Sequence, residues 1–217
     1  MNGGDIAGDE DYHEYTEKFF ARWAPVYNVM EILASGVRKK AASLVAAPSG
    51  TRILDVATGT GRQAFAFAGK GLDVTGVDIS GDMLRIAIRD NRYPDARFFR
   101  ADATALPFRD GLFDAGCISF ALHDMPLDAR RKALAELLRV TKSDGTLIVV
   151  DYALPEGRAR RWLIYRLIRA YESRYYPEFV GSDLRGLLSG AGVEIKRSQR
   201  VLMGAGVIVV AKRVIRK

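Results

Sequence analysis

A glycine-rich turn follows the first predicted strand of this 217-residue chain and is its clearest chemical feature. The segment 53–62 reads Ile-Leu-Asp-Val-Ala-Thr-Gly-Thr-Gly-Arg, so an apolar strand leads through Asp55 into a turn that contains Gly59 and Gly61. Glycine permits a tight turn and a close approach of a ligand to the backbone. The helix that follows points unpaired N–H groups at the same place. The pattern predicts a binding site for a nucleotide-like cofactor.

Two cofactor classes fit the turn. The spacing of Gly59, Gly61 and Ala64 matches the dinucleotide fingerprint G-x-G-x-x-[GA], which would make the protein an NAD-dependent oxidoreductase. Asp55, four residues before Gly59, would oppose a pyrophosphate but suits an ammonium and a sulfonium group. S-adenosylmethionine (SAM) carries both groups. Asp55 therefore favours SAM over a dinucleotide.

Further acidic residues follow the next two predicted strands. Asp78 ends the second strand, where a carboxylate can accept both hydroxyls of a ribose. Asp102 and Ala103 follow the third strand, where they could bind an adenine amino group. Met83 could cover the face of the adenine ring. Asp102 alone would equally suit a helix cap. Carboxylates at successive strand ends favour a ligand site, because α/β sheets bind ligands at the carboxyl ends of their strands.

The elements that position these residues alternate between strand and helix. Predicted strands cover residues 52–56, 74–79, 97–99, 115–120 and 146–150, and predicted helices cover 61–69, 81–90 and 128–140. This alternation predicts a parallel sheet with helices on both faces. The N-terminal part, 12–47, has helical spacing with breaks at Pro25 and at Ser35-Gly36. Helices at 158–175 and 182–190 and a hairpin of 193–201 with 206–211 complete the prediction.

Composition limits the class of protein. Hydrophobic residues make up 48% and charged residues 27% of the chain, as in soluble globular proteins. A single cysteine, Cys117, excludes an internal disulfide, and no grouping of residues has metal-ligand spacing, so no metal is predicted. The longest apolar run, 201–211, is too short for a membrane span, and the acidic N-terminus is unlike a secretory signal. A cytoplasmic protein is expected.

In their order along the chain, these motifs resemble a class I SAM-dependent methyltransferase. The resemblance rests on the glycine turn, the acidic strand end at Asp78, the segment 101–108 (Ala-Asp-Ala-Thr-Ala-Leu-Pro-Phe), the run from Phe113 to His123, and 188–192 (Leu-Ser-Gly-Ala-Gly) before the hairpin. Within that fold, Ala57, the segment 23–30 and Gly206-Val207-Ile208 are similar to the ubiquinone/menaquinone C-methyltransferase group, a methyltransferase type 11 domain. The chain differs from that group at His123-Asp124, where the group has Arg-Asn, and in a shorter stretch between 155 and 192.

The resemblance implies a Rossmann-like, seven-stranded, mostly parallel sheet that ends in an antiparallel hairpin, with SAM as cofactor and S-adenosylhomocysteine as product. One domain is expected over 12–217, after a lead at 1–11 whose Gly- and Asp-rich composition predicts disorder. Within that domain, cap helices would occupy 12–47, the SAM-binding core 50–152, a substrate or cap region 153–192 and the hairpin 193–212. The residues expected to bind SAM are Asp55, Ala57, Thr58, Gly59, Gly61, Asp78, Ile79, Met83, Asp102, Ala103 and Ser119.

Three residues are candidates for catalysis. His123 follows the fourth strand at the ligand edge, and its ordinary pKa lies near neutral pH, which suits a base that removes a proton from the acceptor. A structural loop histidine is the alternative. Asp151, after the fifth strand, could orient an acceptor or serve as a helix cap. The resemblance implies that Tyr27 closes over the bound sulfonium; otherwise Tyr27 is a core aromatic residue.

The acceptor is expected to be a small or lipid-like molecule, methylated at carbon as in quinone biosynthesis. N- or O-methylation of a phospholipid or another small molecule, and a protein that binds SAM without catalysis, are alternatives. The +7 net charge is concentrated in residues 155–217, which hold fourteen Lys and Arg against five Asp and Glu. Such a region suits an anionic membrane surface, a nucleic acid or a solvated face. No Asn/Asp-Pro-Pro-Tyr-type motif is present, which argues against a nucleic acid.

The predicted helix 158–175 is amphipathic. On a helical wheel, the residues Leu163, Ile164, Leu167, Ile168, Tyr171 and Tyr175 share one face, which is expected to pack on the sheet edge or line the acceptor pocket. Arg158, Arg166 and Arg169 lie opposite, with Trp162 and Tyr165 among them. Arginines beside exposed aromatic rings suit peripheral contact with an anionic membrane. An ordinary surface helix or a dimer contact is the alternative.

Overall fold

The computed structural model describes residues 27–45, 47–170 and 172–214, with side chains given from Ser35 onward. The expected disordered lead, most of the N-terminal cap segment and the ring of Tyr171 therefore lie outside the described residues, and so does the side chain of Tyr27. No described helix is both long enough and apolar enough to cross a bilayer.

The described chain forms one seven-stranded sheet with helices on both faces. The strands are β1 (Arg52–Val56), β2 (Asp73–Asp78), β3 (Ala96–Arg100), β4 (Phe113–Ser119), β5 (Thr141–Tyr152), β6 (Val193–Val201) and β7 (Gly206–Arg213). The helices are α1 (Tyr27–Ser43), α2 (Arg62–Ala68), α3 (Gly81–Asp90), α4 (Leu127–Val140), α5 (Arg158–Arg169), α6 (Tyr176–Gly181) and α7 (Leu184–Gly190). Short 3₁₀ turns cover Leu122–Asp124 and Leu202–Gly204.

The strand order β3-β2-β1-β4-β5-β7-β6 confirms the predicted fold class. Strands β1 to β5 are parallel to one another, and β7 is antiparallel to both β5 and β6. The order reverses between β1 and β4, and such a switch point opens a crevice at the carboxyl ends of the strands. Ligands of open α/β sheets bind in that crevice.

A hydrophobic core covers each face of the sheet. One contains α4 residues such as Leu134 and Leu137, packed against Leu54 and Ile118. The other contains Val37 and Ala41 of α1 with Phe67 of α2. Burial on both faces explains why the central strands read as continuous apolar runs rather than as alternating ones.

Two sequence expectations for the helices are wrong. Helix α1 continues unbroken through Ser35-Gly36, because its packing against α2 outweighs the roughly 1 kcal/mol that a helical glycine costs. Helix α5 ends at Arg169 rather than at 175. Its periodic pattern continues beyond that point, but Glu172 and Tyr176 instead make contacts with Tyr152. Tertiary contacts thus override the local pattern.

Candidate functional site

The switch point carries a pocket that gathers nine of the eleven residues predicted to bind the cofactor. They are Ala57, Thr58, Gly59, Asp78, Ile79, Met83, Asp102, Ala103 and Ser119. Three sequence-distant loops, after β1, β2 and β3, supply most of them. Asp55 and Gly61 lie outside the pocket lining.

Asp78 ties the glycine turn to the end of β2. Its Oδ2 accepts a hydrogen bond from the backbone N–H of Gly59 at 2.7 Å, and its Oδ1 accepts one from Ser80 N–H at 2.9 Å. Burial raises the pKa of Asp78, while the backbone N–H groups of Ser80, Gly59 and Ile79 act against that rise. A carboxylate has about four lone-pair positions, so Asp78 retains acceptor capacity for ribose hydroxyls.

Asp55 lies beneath the turn rather than on the pocket surface. The residue is 1% exposed, and its Oδ2 accepts a 2.6 Å hydrogen bond from Thr58 Oγ1. Burial raises the pKa of Asp55 to about 6, against the lowering effect of Thr58. The structure therefore places Asp55 where it supports the turn and acts on a ligand only through its charge.

Gly61 also has a packing role. It immediately precedes α2 with φ 78°, a left-handed conformation, and an added Cβ would lie 3.0 Å from the side chains of Ala87 and Phe65. Gly59, with φ 55°, lines the pocket, and an added Cβ would meet nothing within 4 Å. The first glycine thus leaves room on the ligand side, and the second permits close packing of α2.

The other end of the pocket offers groups suited to an adenosyl moiety. Asp102 caps its own turn by accepting a hydrogen bond from Thr104 N–H at 2.7 Å, and it also lines the pocket. Met83 is 4% exposed in the first turn of α3 and contributes an apolar wall. Ser119 Oγ is buried without a hydrogen-bond partner among the described residues. An unsatisfied hydroxyl beside an open glycine turn fits a polar ligand such as SAM.

Sequence reasoning missed Arg38. This residue of α1 lines the pocket, and its charge acts on Asp55 beneath the glycine turn. Its backbone carbonyl accepts a hydrogen bond from Gln63 in α2, which fixes α1 over the turn. The sequence around Arg38 does not indicate that this residue lines the pocket, because its position depends on how α1 packs against α2. A guanidinium here suits the carboxylate of an amino-acid moiety.

His123 lies in a buried cluster of carboxylates just behind the pocket. Its ring is 2% exposed, and Nδ1 lies 2.7 Å from Asp151 Oδ1, while Nε2 lies 3.1 Å from Glu172 Oε2 and 3.2 Å from Asp124 Oδ2. Burial opposes the charged imidazolium, but the charges of Asp124, Asp151 and Glu172 outweigh it and raise the pKa of His123 well above its usual value. His123 and Asp151, two separate catalytic candidates from the sequence, are thus in contact.

Asp124 is the member of the cluster that reaches the pocket. It lines the pocket and is 5% exposed, and its Oδ2 pairs with His123 Nε2 at 3.2 Å. His123 and Asp151 are absent from the pocket lining. His123 therefore does not line the pocket itself. It contacts Asp124, and Asp124 lines the pocket.

Neither Asp124 nor Glu172 was predicted from sequence as a site residue. Glu172 comes from the loop after α5, 49 residues beyond His123, and its Oε1 accepts a 2.7 Å hydrogen bond from Tyr152 Oη. Arg130, fully buried in α4, donates from Nε to the carbonyl of Leu122 at 2.9 Å and so holds the 3₁₀ turn in place. Asp124 could have been predicted as a site residue because it directly follows His123 in the sequence. The sequence around Glu172 contains no comparable indication.

Known proteins resemble this chain in sequence. A family model described as a methyltransferase domain matches residues 53–145. The chain is 44% identical over 137 residues to the demethylmenaquinone methyltransferase of Renibacterium salmoninarum, a match that covers 61% of this chain and 56% of that protein. It is 38% identical over 180 residues to the Thermus thermophilus protein of the same name, covering 79% and 77%. The chain thus spans about half the length of the first of these relatives.

Solved structures share the fold. A SAM-dependent methyltransferase from Methanosarcina mazei superposes with a TM-score of 0.63 at 21% identity, over 78% of this chain and 95% of that one. The fold, with SAM as the cofactor, is that of a class I SAM-dependent methyltransferase. The chain belongs to the methyltransferase family that includes the demethylmenaquinone methyltransferases.

Proposed function

We propose that this protein transfers the methyl group of SAM to a ring carbon of a hydroxylated, quinone-type acceptor. The relatives named demethylmenaquinone methyltransferases support this acceptor class. The observation that carries the proposal is the carboxylate–histidine cluster that opens into the cofactor pocket at Asp124. The neighbouring pocket wall is apolar, with Phe120, Ala121 and Met125, and suits a ring.

SAM, when bound, supplies an electrophilic methyl group. The pocket residues would hold it as follows: Asp78 takes the ribose, Asp102 and Met83 the adenine, and Arg38 the carboxylate of the methionine moiety. Gly59 leaves the space that the sulfonium end needs. Asp55 lies under this end of the turn, where its negative charge favours a cation.

The cluster around His123 handles the proton of the acceptor. Ring carbons of a quinol become nucleophilic when the hydroxyl group loses its proton, because the oxygen then donates electron density to the ring. Asp124, which lines the pocket, would accept that proton on its carboxylate, and His123, oriented by Asp151, lies against Asp124. The ring carbon would take the methyl group as the C–S bond breaks with its electron pair remaining on sulfur, and the proton displaced from that carbon would pass to solvent water. Positioning supplies much of the rate enhancement in such an in-line displacement.

Methyl transfer from labelled SAM to a short-chain demethylmenaquinol, with phosphatidylethanolamine and catechols as competing acceptors, tests this function. We expect the methyl group on a ring carbon of the quinol. His123→Ala should lower the turnover number by more than about tenfold, because Asp124, the group that takes the proton, loses its charged partner. Methylation of the phospholipid or of a catechol oxygen instead would contradict the quinol assignment.

We further propose that α5 forms a docking face for an anionic membrane surface, where a lipid-soluble acceptor would be delivered. Trp162, Leu163 and Leu167 are 61%, 51% and 60% exposed, so two residues expected to pack inward instead face solvent. Arg166 lies over the Trp162 ring at 5.3 Å. The helix carries five arginines and no acidic residue, which complements lipid phosphate.

A further inference from the structure

Two carboxylates lie within reach of His123 Nε2, and only one of them lines the pocket. Nε2 is 3.1 Å from Glu172 Oε2, with the alignment of a hydrogen bond, and 3.2 Å from Asp124 Oδ2, with which it forms an ion pair. A charged imidazolium carries one N–H on each ring nitrogen. Since Asp151 Oδ1 lies 2.7 Å from Nδ1, Glu172 and Asp124 compete for the single N–H that remains.

The imidazole ring of His123 is fixed in its orientation, so this N–H stays directed at the two carboxylates. Asp151 accepts backbone N–H groups from Leu122 at 3.0 Å and from Tyr152 at 2.7 Å, which hold its carboxylate against Nδ1. The ring of Tyr152 packs edge-on against the imidazole, with the two centroids 4.7 Å apart. Because the imidazole is buried, the surrounding carboxylates rather than bulk water accept its hydrogens.

Glu172 is held at Nε2 through both its side chain and its backbone. Its Oε1 accepts a 2.7 Å hydrogen bond from Tyr152 Oη, which leaves Oε2 directed at the imidazole. Its backbone N–H donates to the carbonyl of Ile168, a buried residue of α5, at 3.1 Å. The side chain of Glu172 is only 7% exposed. Burial of a carboxylate costs free energy, and the contacts with the imidazolium and the tyrosine offset that cost.

The charges around the ring indicate what Glu172 contributes. The titratable and charged groups of the cluster come from several elements: Asp124 from the 3₁₀ turn, Asp151 and Tyr152 from β5, Glu172 from the loop after α5, and Arg130 from α4, itself paired with Glu178 of α6. A proton taken up by Asp124 removes the negative charge of that carboxylate. The imidazolium then keeps Asp151 and Glu172 as its anionic partners.

We infer that Glu172 is a positioning residue for proton uptake: it takes the Nε2 hydrogen bond of His123 and so leaves the carboxylate of Asp124 available to the acceptor. This role rests on the proposed function, in which Asp124 accepts the proton. Glu172 acts through His123 and is not part of the pocket lining. In Glu172→Gln an amide replaces the carboxylate, so the Nε2 hydrogen bond turns to Asp124, because hydrogen bonds to charged acceptors are the stronger ones. The turnover number should fall by more than about tenfold, with SAM affinity unchanged.

Nitrogen NMR of the histidine rings, as a function of pH and without an acceptor, tests the contact directly. The chain contains two histidines, His13 and His123, so two sets of ring signals are expected. The nearby carboxylates raise the pKa of His123 well above its usual value, and Glu172→Gln removes one of their charges. The ring should therefore lose its proton at a pH lower by about one unit or more. Glu194→Gln, a matched control at an exposed acid that pairs with Lys196 in β6, should leave the titration unchanged.

Titration with SAM shows whether each variant is folded, because an intact cofactor pocket requires a folded chain. Tyr152→Phe, which keeps the carboxylate of Glu172 but removes its hydrogen bond, should lower turnover by less than Glu172→Gln does. Identical titration of His123 in the wild type and Glu172→Gln, or equal turnover of these two proteins, would overturn the inference. A wild type that does not methylate the quinol would contradict the proposed function alone, since the NMR measurement uses no acceptor.

Discussion

Asp78 accepts two backbone hydrogen bonds, one from Gly59 in the glycine turn and one from Ser80 in its own loop. Asp78→Ala removes these bonds together with the acceptors for the ribose, so SAM binding should weaken by about 2–4 kcal/mol, or roughly 30- to 1000-fold. Isothermal titration with SAM measures the change. Asp82→Ala, which removes an exposed carboxylate four residues later that pairs with Arg85, serves as the control. Equal affinities of the Asp78 variant and the control would remove Asp78 from the site.

Asp55 makes stability depend on pH. Its folded-state pKa of about 6 lies above the ordinary 3.8, so the folded protein binds more protons than the unfolded chain between these values. The contribution to stability is complete below pH 4 and is lost as pH rises through 6, a loss of about 3 kcal/mol at 1.36 kcal/mol per unit. Urea unfolding from pH 4 to 7.5 should therefore show the wild type losing stability relative to Asp55→Asn. A difference that does not vary with pH would contradict this assignment.

At this scale, the sequence predicted most of the residues that line the pocket, but it did not indicate all of those that reach the pocket from distant segments. Asp78, Asp102 and Gly59 follow directly from strand ends, and the topology fixes where strand ends meet. Glu172 and Arg38 reach the site from a loop and from a helix whose packing is tertiary. Local periodicity contains no information about such contacts.

The turn between β1 and α2 uses its two glycines differently, and paired substitutions should separate their roles. Gly61→Ala combines a left-handed backbone with contacts at 3.0 Å, so it should lower the free energy of unfolding by about 2–4 kcal/mol. Gly59→Ala meets no neighbour, so it should cost about 1 kcal/mol of stability but reduce SAM affinity by more than about tenfold. Chemical denaturation and SAM titration of both variants measure the two effects. An equal loss of stability in the Gly59 and Gly61 variants would contradict these separate roles.

Helix α5 shows what an amphipathic pattern does and does not predict. The pattern correctly predicted a helix over 158–169. Within that helix, however, Ile168 is the only buried residue. Helical spacing specifies which residues share a face, but whether that face is covered depends on the rest of the molecule. For most of the strands, and for the helices that connect them, the observed bounds lie within a few residues of the predicted ones.

Considered as a whole, the molecule concentrates positive charge in its C-terminal third, and sedimentation with vesicles tests the docking face. Wild-type protein should pellet with phosphatidylglycerol vesicles at physiological salt. Replacement of Arg158, Arg166 and Arg169 by glutamine should weaken that binding by up to about 100-fold, at about 1 kcal/mol per basic residue. Glutamine at Arg85, Arg89 and Arg131, which lie on other helices, gives a matched loss of charge. Equal pelleting of both triple variants would exclude a specific role of α5.

The position of β7 between β5 and β6 affects how the protein is made. A ribosome synthesises β6 before β7, yet β6 pairs in the sheet only with β7. Until the segment 206–213 emerges, β5 presents an uncovered edge over seven residue positions, from Thr146 to Tyr152. Exposed edges of apolar strands are templates for association with other chains. A nascent chain that has already formed β1 to β5 would therefore need rapid synthesis of β7, or a chaperone, to avoid aggregation.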